Sequence, residues 1–143
     1  MTLSGGWSPS SRARVLLADD NAMVAAEMQE LLEPSLDVVG VVNSGEALEA
    51  AFDLLSPDVV VADITMPGEG GLAAVEHIRE RCPDTPVVLL TVDDASPMIR
   101  RGFSAGAQGY VVKEDAGDEL LRAIEAALEG RWYVSAAALR NLL

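Results

Sequence analysis

From Arg14 onward, short apolar runs alternate with longer stretches in which apolar residues recur at helical spacing. The runs are VLLA (15 to 18), DVVGVV (37 to 42), DVVVA (58 to 62), PVVLLT (86 to 91) and GYVVK (109 to 113). Three of them are uninterrupted apolar stretches of four or more residues, the signature of strands covered on both faces. Between them, AMVAAEMQELLE (22 to 33) brings Met23, Ala26, Met28, Leu31 and Leu32 near one helix face, and SGEALEAAFDLL (44 to 55) opens on a helix-start signal. Further helices are predicted over 71 to 81, 96 to 106 and 117 to 129. Strict alternation of strand and helix predicts an α/β domain, a five-stranded parallel sheet with helices on both faces. The Ser, Gly and Pro rich opening MTLSGGWSPSSR (1 to 12) has little to bury and is expected to be a disordered leader.

In such a sheet, ligands collect outside the carboxyl ends of the strands, where strand order reverses. The polar residues predicted there are Asp19 and Asp20 after the first strand, Asp63 after the third, Thr91 ending the fourth and Lys113 ending the fifth. Each has a bland reading. An Asp pair before a helix is as often a cap as a site, Thr91 is an ordinary strand residue, and Lys113 fits a solvated strand end. Asp63 is harder to dismiss, because a carboxylate following VVVA is costly to bury without a partner or cation. Three clustered carboxylates repel one another unless a hard cation neutralises them, which points to Mg²⁺. An aspartate beside that cation is a nucleophile toward phosphorus, and a hydroxyl and an ammonium supply the donors that phosphoryl oxygens need. Lysine suits that place as a compact point charge on a flexible stem.

Composition narrows the alternatives. At 143 residues the chain fits one domain, and its formal charge of -13 argues against a nucleic-acid or anionic-membrane surface. The single cysteine, Cys82, and the single histidine, His77, exclude an internal disulfide and a Cys/His zinc site. No apolar run is long enough to span a bilayer and none near the start reads as a signal peptide, which fits a cytoplasmic protein. Lys113 is the only lysine beside nine arginines. Bias toward Arg explains the absence of lysines elsewhere but not the position of this one.

The motifs DD (19 to 20), DITMPG (63 to 68), T (91) and GYVVK (109 to 113), in order and spacing, resemble the receiver domain of bacterial two-component response regulators. The resemblance implies a flavodoxin-like (CheY-like) fold with strand order 2-1-3-4-5 over a receiver spanning 13 to 130. It implies that Asp63 accepts a phosphoryl group from the phosphohistidine of a sensor histidine kinase. Asp19, Asp20, Asp63 and the backbone carbonyl of Thr65 would hold Mg²⁺, Thr91 and Lys113 would contact the phosphoryl oxygens, and Tyr110 would turn with the switch. Such a domain is a phosphoacceptor rather than an enzyme, with only self-phosphorylation and dephosphorylation chemistry of its own. The second half, RCPDTPVVLLT and GAQGYVVKEDAGDELLRAIEAALEGRWYVS, looks most like the NarL/FixJ-type subgroup. That likeness implies a following helix-turn-helix DNA-binding domain, dimerisation on phosphorylation and a role in transcription. Residues 131 to 143, ending in AAALRNLL, then read as the start of a linker helix toward an output domain missing from this chain.

One departure concerns access to the site: the residue after the switch hydroxyl, small in most of the family, is Val92. Two rivals fail on specific residues. A haloacid-dehalogenase-type hydrolase wants an aspartate where Thr65 stands, and a dinucleotide binder needs a glycine-rich turn where ADDNAM stands. A receiver-like module that is never phosphorylated stays open as the third reading.

Overall fold

The computed structural model describes residues 12–66 and 70–143. Six strands form one sheet: β1 (Arg14–Ala18), β2 (Asp37–Val42), β3 (Val59–Ala62), β4 (Val87–Thr91), β5 (Gly109–Val112) and β6 (Tyr133–Val134). Helices α1 (Ala22–Leu32), α2 (Gly45–Leu55), α3 (Gly70–Arg81), α4 (Ser96–Ser104), α5 (Ala116–Leu128) and α6 (Ala136–Leu142) follow the strands in turn. A single 3₁₀ turn, Lys113–Asp115, leads into α5.

The strand order is β2-β1-β3-β4-β5-β6, with every neighbouring pair parallel. The expected parallel, CheY-like arrangement is present, but the sheet has six strands where the sequence predicts five. The sixth is the pair Tyr133–Val134, whose partners on β5 are Gly109 and Tyr110. Two residues are too short a run for apolar periodicity to register.

Side chains alternate across the pleat and divide the core in two. Leu16, Val60, Ala62, Leu89, Tyr110 and Val112 pack toward α2, α3, α4 and α6, meeting Leu48, Phe52, Ile78, Ile99 and Ala138. Val15, Leu17, Val59, Val61, Leu90 and Val111 face α1 and α5, meeting Ala25, Leu32, Leu120 and Ile124. Strands β3, β4 and β5 are buried along their whole length, as their unbroken apolar runs require. Edge strand β2 is only partly buried, and an irregularity in its pairing with β1 falls between Val15 and Leu16.

Helix α1 is rotated from the predicted face. Ala25 and Leu32 are buried, Met28 and Leu31 pack partly against them, and Met23 is exposed. At helical spacing Met23 and Ala26 fall on the side away from Ala25, Met28 and Leu32, and both are exposed.

The segment from 131 to 143, read from sequence as a linker, closes onto the domain. Trp132 meets Phe103 of α4 with ring centroids 5.3 Å apart and ring planes tilted by 43°, and Ala137 and Ala138 of α6 are buried. At the other end, Arg12 hydrogen-bonds the carbonyls of Glu33 and Leu36 and pairs with Asp37 at 2.9 Å. The rest of the expected leader, residues 1–11, lies outside the described residues, as do Pro67 and Gly68 of the DITMPG motif.

Candidate functional site

Strands β1 and β3 are neighbours in register, Ala18 opposite Ala62, although the chain visits β2 between them. This is the place where strand order reverses, and the residues that follow each partner are Asp19 and Asp63. The ladder continues one step beyond the strands, since Asp63 N donates to Ala18 O at 2.9 Å and Asp19 N to Val42 O at 3.0 Å. Both aspartates are thereby fixed by backbone and both are buried, at 3% and 2% exposure. Asp20, next in the chain, is exposed. One carboxylate oxygen from each of the three lies within 4.8 Å of the others.

Capping does not account for the Asp pair. The N-cap of α1 is Asn21, whose side chain accepts from the backbone N–H groups of Met23 and Val24. Asp19 supports that turn from outside, its Oδ1 accepting from Asn21 N at 2.8 Å. Its Oδ2 is buried and accepts no hydrogen bond, although Lys113 Nζ lies 2.9 Å away. A buried carboxylate oxygen without a hydrogen-bond donor is a good ligand for a hard cation, and carboxylate oxygens are what Mg²⁺ selects. The donor set therefore fits the ion that the sequence motifs imply.

Lys113 reaches the same point from β5. Its Nζ donates to Asp63 Oδ2 at 2.8 Å while pairing with Asp19 Oδ2. Burial opposes its charge, but the hydrogen bond to Asp63 and the negative charges of Asp63 and Asp19 outweigh that, so the ammonium is held above the ordinary lysine range. The other oxygen of Asp63, Oδ1, accepts from Thr65 N at 2.9 Å and from Thr65 Oγ1 at 2.7 Å. The resemblance assigns Thr65 only a backbone carbonyl, whereas its hydroxyl binds the central carboxylate directly. The only sequence signal for this contact is a hydroxyl residue two positions after Asp63.

Thr91 is fully buried at the end of β4, and its Oγ1 accepts weakly from Asp93 N at 3.3 Å. Among the described residues, no hydrogen bond joins Thr91 to Asp63. Tyr110 is fully buried, and its hydroxyl donates to Asp93 O at 2.5 Å. The β4–α4 loop is therefore held from one side by Thr91 and from the other by Tyr110. Val92, the first residue of this loop, is 69% exposed. His77 accompanies Glu49 at 3.0 Å on the α2–α3 surface, and Cys82 is a free thiol after α3, so neither enters the acidic cluster.

Two buried aspartates and an exposed third lie beside a strand-end lysine on a doubly wound parallel sheet, and the chain belongs to the response regulator receiver domain family, whose model matches residues 15–125. It is a receiver of the NarL/FixJ type and a regulatory domain rather than an enzyme of the usual kind. Response regulator GacA of Pseudomonas viridiflava is 38% identical over 124 residues, covering 85% of this chain and 58% of that protein. Oxygen regulatory protein NreC of Staphylococcus epidermidis is 32% identical over 124 residues, covering 85% of this chain and 57% of that protein. The crystal structure of a LuxR-family two-component response regulator from Aurantimonas superposes with a TM-score of 0.88 at 34% identity, covering 92% of this chain and 96% of that one. The chain thus spans less than two thirds of the length of these curated relatives. Among the described residues, no helix is long and apolar enough to cross a membrane.

Proposed function

We propose that the chain is the phosphorylation-controlled switch of a cytoplasmic two-component system, with Asp63 as the phosphoacceptor. The observation that carries this reading is the buried Asp63 carboxylate, held between Lys113 Nζ and the Thr65 donors and within reach of Asp19 and Asp20. A carboxylate oxygen of Asp63 attacks the phosphorus of a kinase phosphohistidine. The P–N bond breaks, the imidazole leaves with its electron pair and takes up a proton, and an acyl phosphate remains on Asp63.

Asp19, Asp20, Asp63 and the Thr65 carbonyl would hold Mg²⁺, which neutralises developing phosphoryl charge when bound. Lys113 serves as the fixed point charge on the phosphoryl oxygens, and Thr91 supplies the hydroxyl. Acyl phosphate on Asp63 favours the form in which Thr91 turns toward it and Tyr110 follows. Moving such a switch from mostly off to mostly on takes about 5.5 kcal/mol of differential stabilisation, within reach of a few charge-assisted contacts and a divalent cation. Dimerisation and transcriptional output through a helix-turn-helix domain outside this chain would be the readout.

Incubation with Mg²⁺ and a small phosphodonor such as acetyl phosphate, followed by intact-protein mass measurement, tests the assignment. Wild type gains one phosphoryl mass and Asp63→Asn gains none. Retained incorporation in the variant sinks the site assignment.

A further inference from the structure

The tail is fastened to the two loops on which the proposed switch depends. Its first part is bound to strand backbone: Tyr133 N donates to Gln108 O and Ser135 N to Tyr110 O, both at 2.9 Å. Where β6 ends, the buried Ser135 hydroxyl takes over the ladder and accepts from Val112 N at 3.0 Å. The start of α6 is then held from the segment just past Lys113. Ala137 N donates to Asp115 Oδ2 at 2.9 Å and Ala136 N to Glu119 Oε2 at 3.0 Å. The far end of α6 reaches the other loop, with Asn141 Nδ2 donating to Asp94 O at 2.6 Å.

Asp94 is one residue from Asp93, which the Thr91 and Tyr110 hydroxyls both touch. A displacement of Thr91 toward Asp63 draws residues 92 to 94 with it. The anchors of β6 belong to strand backbone and do not move with that loop. The Asn141 anchor does; the bonds to Asp115 and Glu119 hold only the first residues of α6, and the rest of the helix is held by the apolar contacts of Ala137, Ala138 and Leu142.

We propose that α6 is a latch that reads the state of Asp63, docked against α4 while Asp63 is unmodified and swung away about Ser135–Ala137 when it is phosphorylated, with β6 staying in the sheet. This rests on the phosphoacceptor reading of Asp63. It assigns the switch a specific moving part, set by the carbonyl of Asp94.

Amide hydrogen exchange with and without Mg²⁺ and fluoroberyllate tests it, with bound fluoroberyllate monitored by fluorine resonance. Peptides covering 138 to 143 are expected to exchange at least tenfold faster in the fluoroberyllate form, while Tyr133 and Ser135 keep their protection. Asn141→Ala is expected to give a comparable acceleration without fluoroberyllate, and Asp63→Asn to show no response to it. Bound fluoroberyllate with unchanged protection of α6 overturns the latch and leaves the site reading intact. Absence of any bound fluoroberyllate overturns both. An Asn141→Ala variant as protected as wild type, or a response in Asp63→Asn, overturns the latch alone.

Discussion

Tyr110 and Lys113 lie three residues apart and respond to alkali in the same direction. Burial pushes the Tyr110 phenol far above its ordinary range, with Asp93, Asp94 and Asp63 adding to the effect, and the Lys113 ammonium is raised as well. Both groups have unfolded values near 10. Above that pH the unfolded chain has lost protons that the folded chain still holds, so their stabilisation is complete below about pH 10 and drains away as pH rises. Each such proton contributes a slope of about 1.4 kcal/mol per pH unit. Tyr110→Phe is therefore expected to flatten the fall of stability above pH 10 by roughly that amount, measured as urea midpoints across the alkaline range. A slope equal to wild type would mean that the phenol ionises in the folded state. Lys113→Arg probes shape at constant charge. A single nitrogen lies 2.8 Å from Asp63 Oδ2 and 2.9 Å from Asp19 Oδ2, a geometry that the planar guanidinium fork does not reproduce. Phosphoryl incorporation from a small donor is expected to slow at least tenfold in a variant that stays folded, followed by time-resolved mass measurement. The residue types of the acid trio and the lysine were legible in sequence because they stand at strand ends. The hydroxyl contact from Thr65 was not, since it depends on a turn that spacing does not describe.

The approach of α3 to β3 sets the backbone beneath the acceptor. A Cβ on Gly71 would lie 2.1 Å from Asp63 O and 2.9 Å from Asp63 C, so only glycine lets the helix start so close. Gly71→Ala gains helix propensity of up to about 1 kcal/mol, but forced displacement in a packed region costs about 1–3 kcal/mol. A lower urea midpoint together with slower phosphoryl incorporation is the expected result, because the backbone that must shift is that of Asp63. Unchanged incorporation would detach the helix approach from the site. Elements were legible to differing degrees. Strands β3, β4 and β5 announce themselves because burial on both faces demands unbroken apolar residues. The facing of α1 is not so plain, since Met23 is apolar yet exposed and the small Ala25 is the one that faces inward. The tail was legible as a helix but not as a docked one. Its hold rests on two alanines and on polar bonds to Asp94, Asp115 and Glu119, none of which leaves a periodic signal.

At the scale of the whole molecule, the fold gathers its charge cost in one place. Asp19 and Asp63 are buried beside exposed Asp20, and among the described residues Lys113 is the cation paired with them. A cation held there by the folded chain stabilises it by mass action, about 2.7 kcal/mol at a hundredfold excess over its dissociation constant. Addition of Mg²⁺ is expected to raise the melting temperature by roughly 10 °C for a chain of this size. Asp20→Asn should remove most of that rise, and an equal rise in the variant would place the cation elsewhere. The parallel arrangement was readable from strand and helix alternation, and its order from the family motifs. The outermost strand was not, because β6 is held by pairing with β5 rather than by its own composition. That pairing fixes where the polypeptide tolerates being cut. A version ending at Gly130 would bare the edge of an apolar strand whose carbonyls at Gln108 and Tyr110 now accept from Tyr133 and Ser135. An open row of this kind is a template for another copy of the same strand, so a chain cut at residue 125, where the family match ends, is expected to self-associate more readily than one that keeps Tyr133 and Val134.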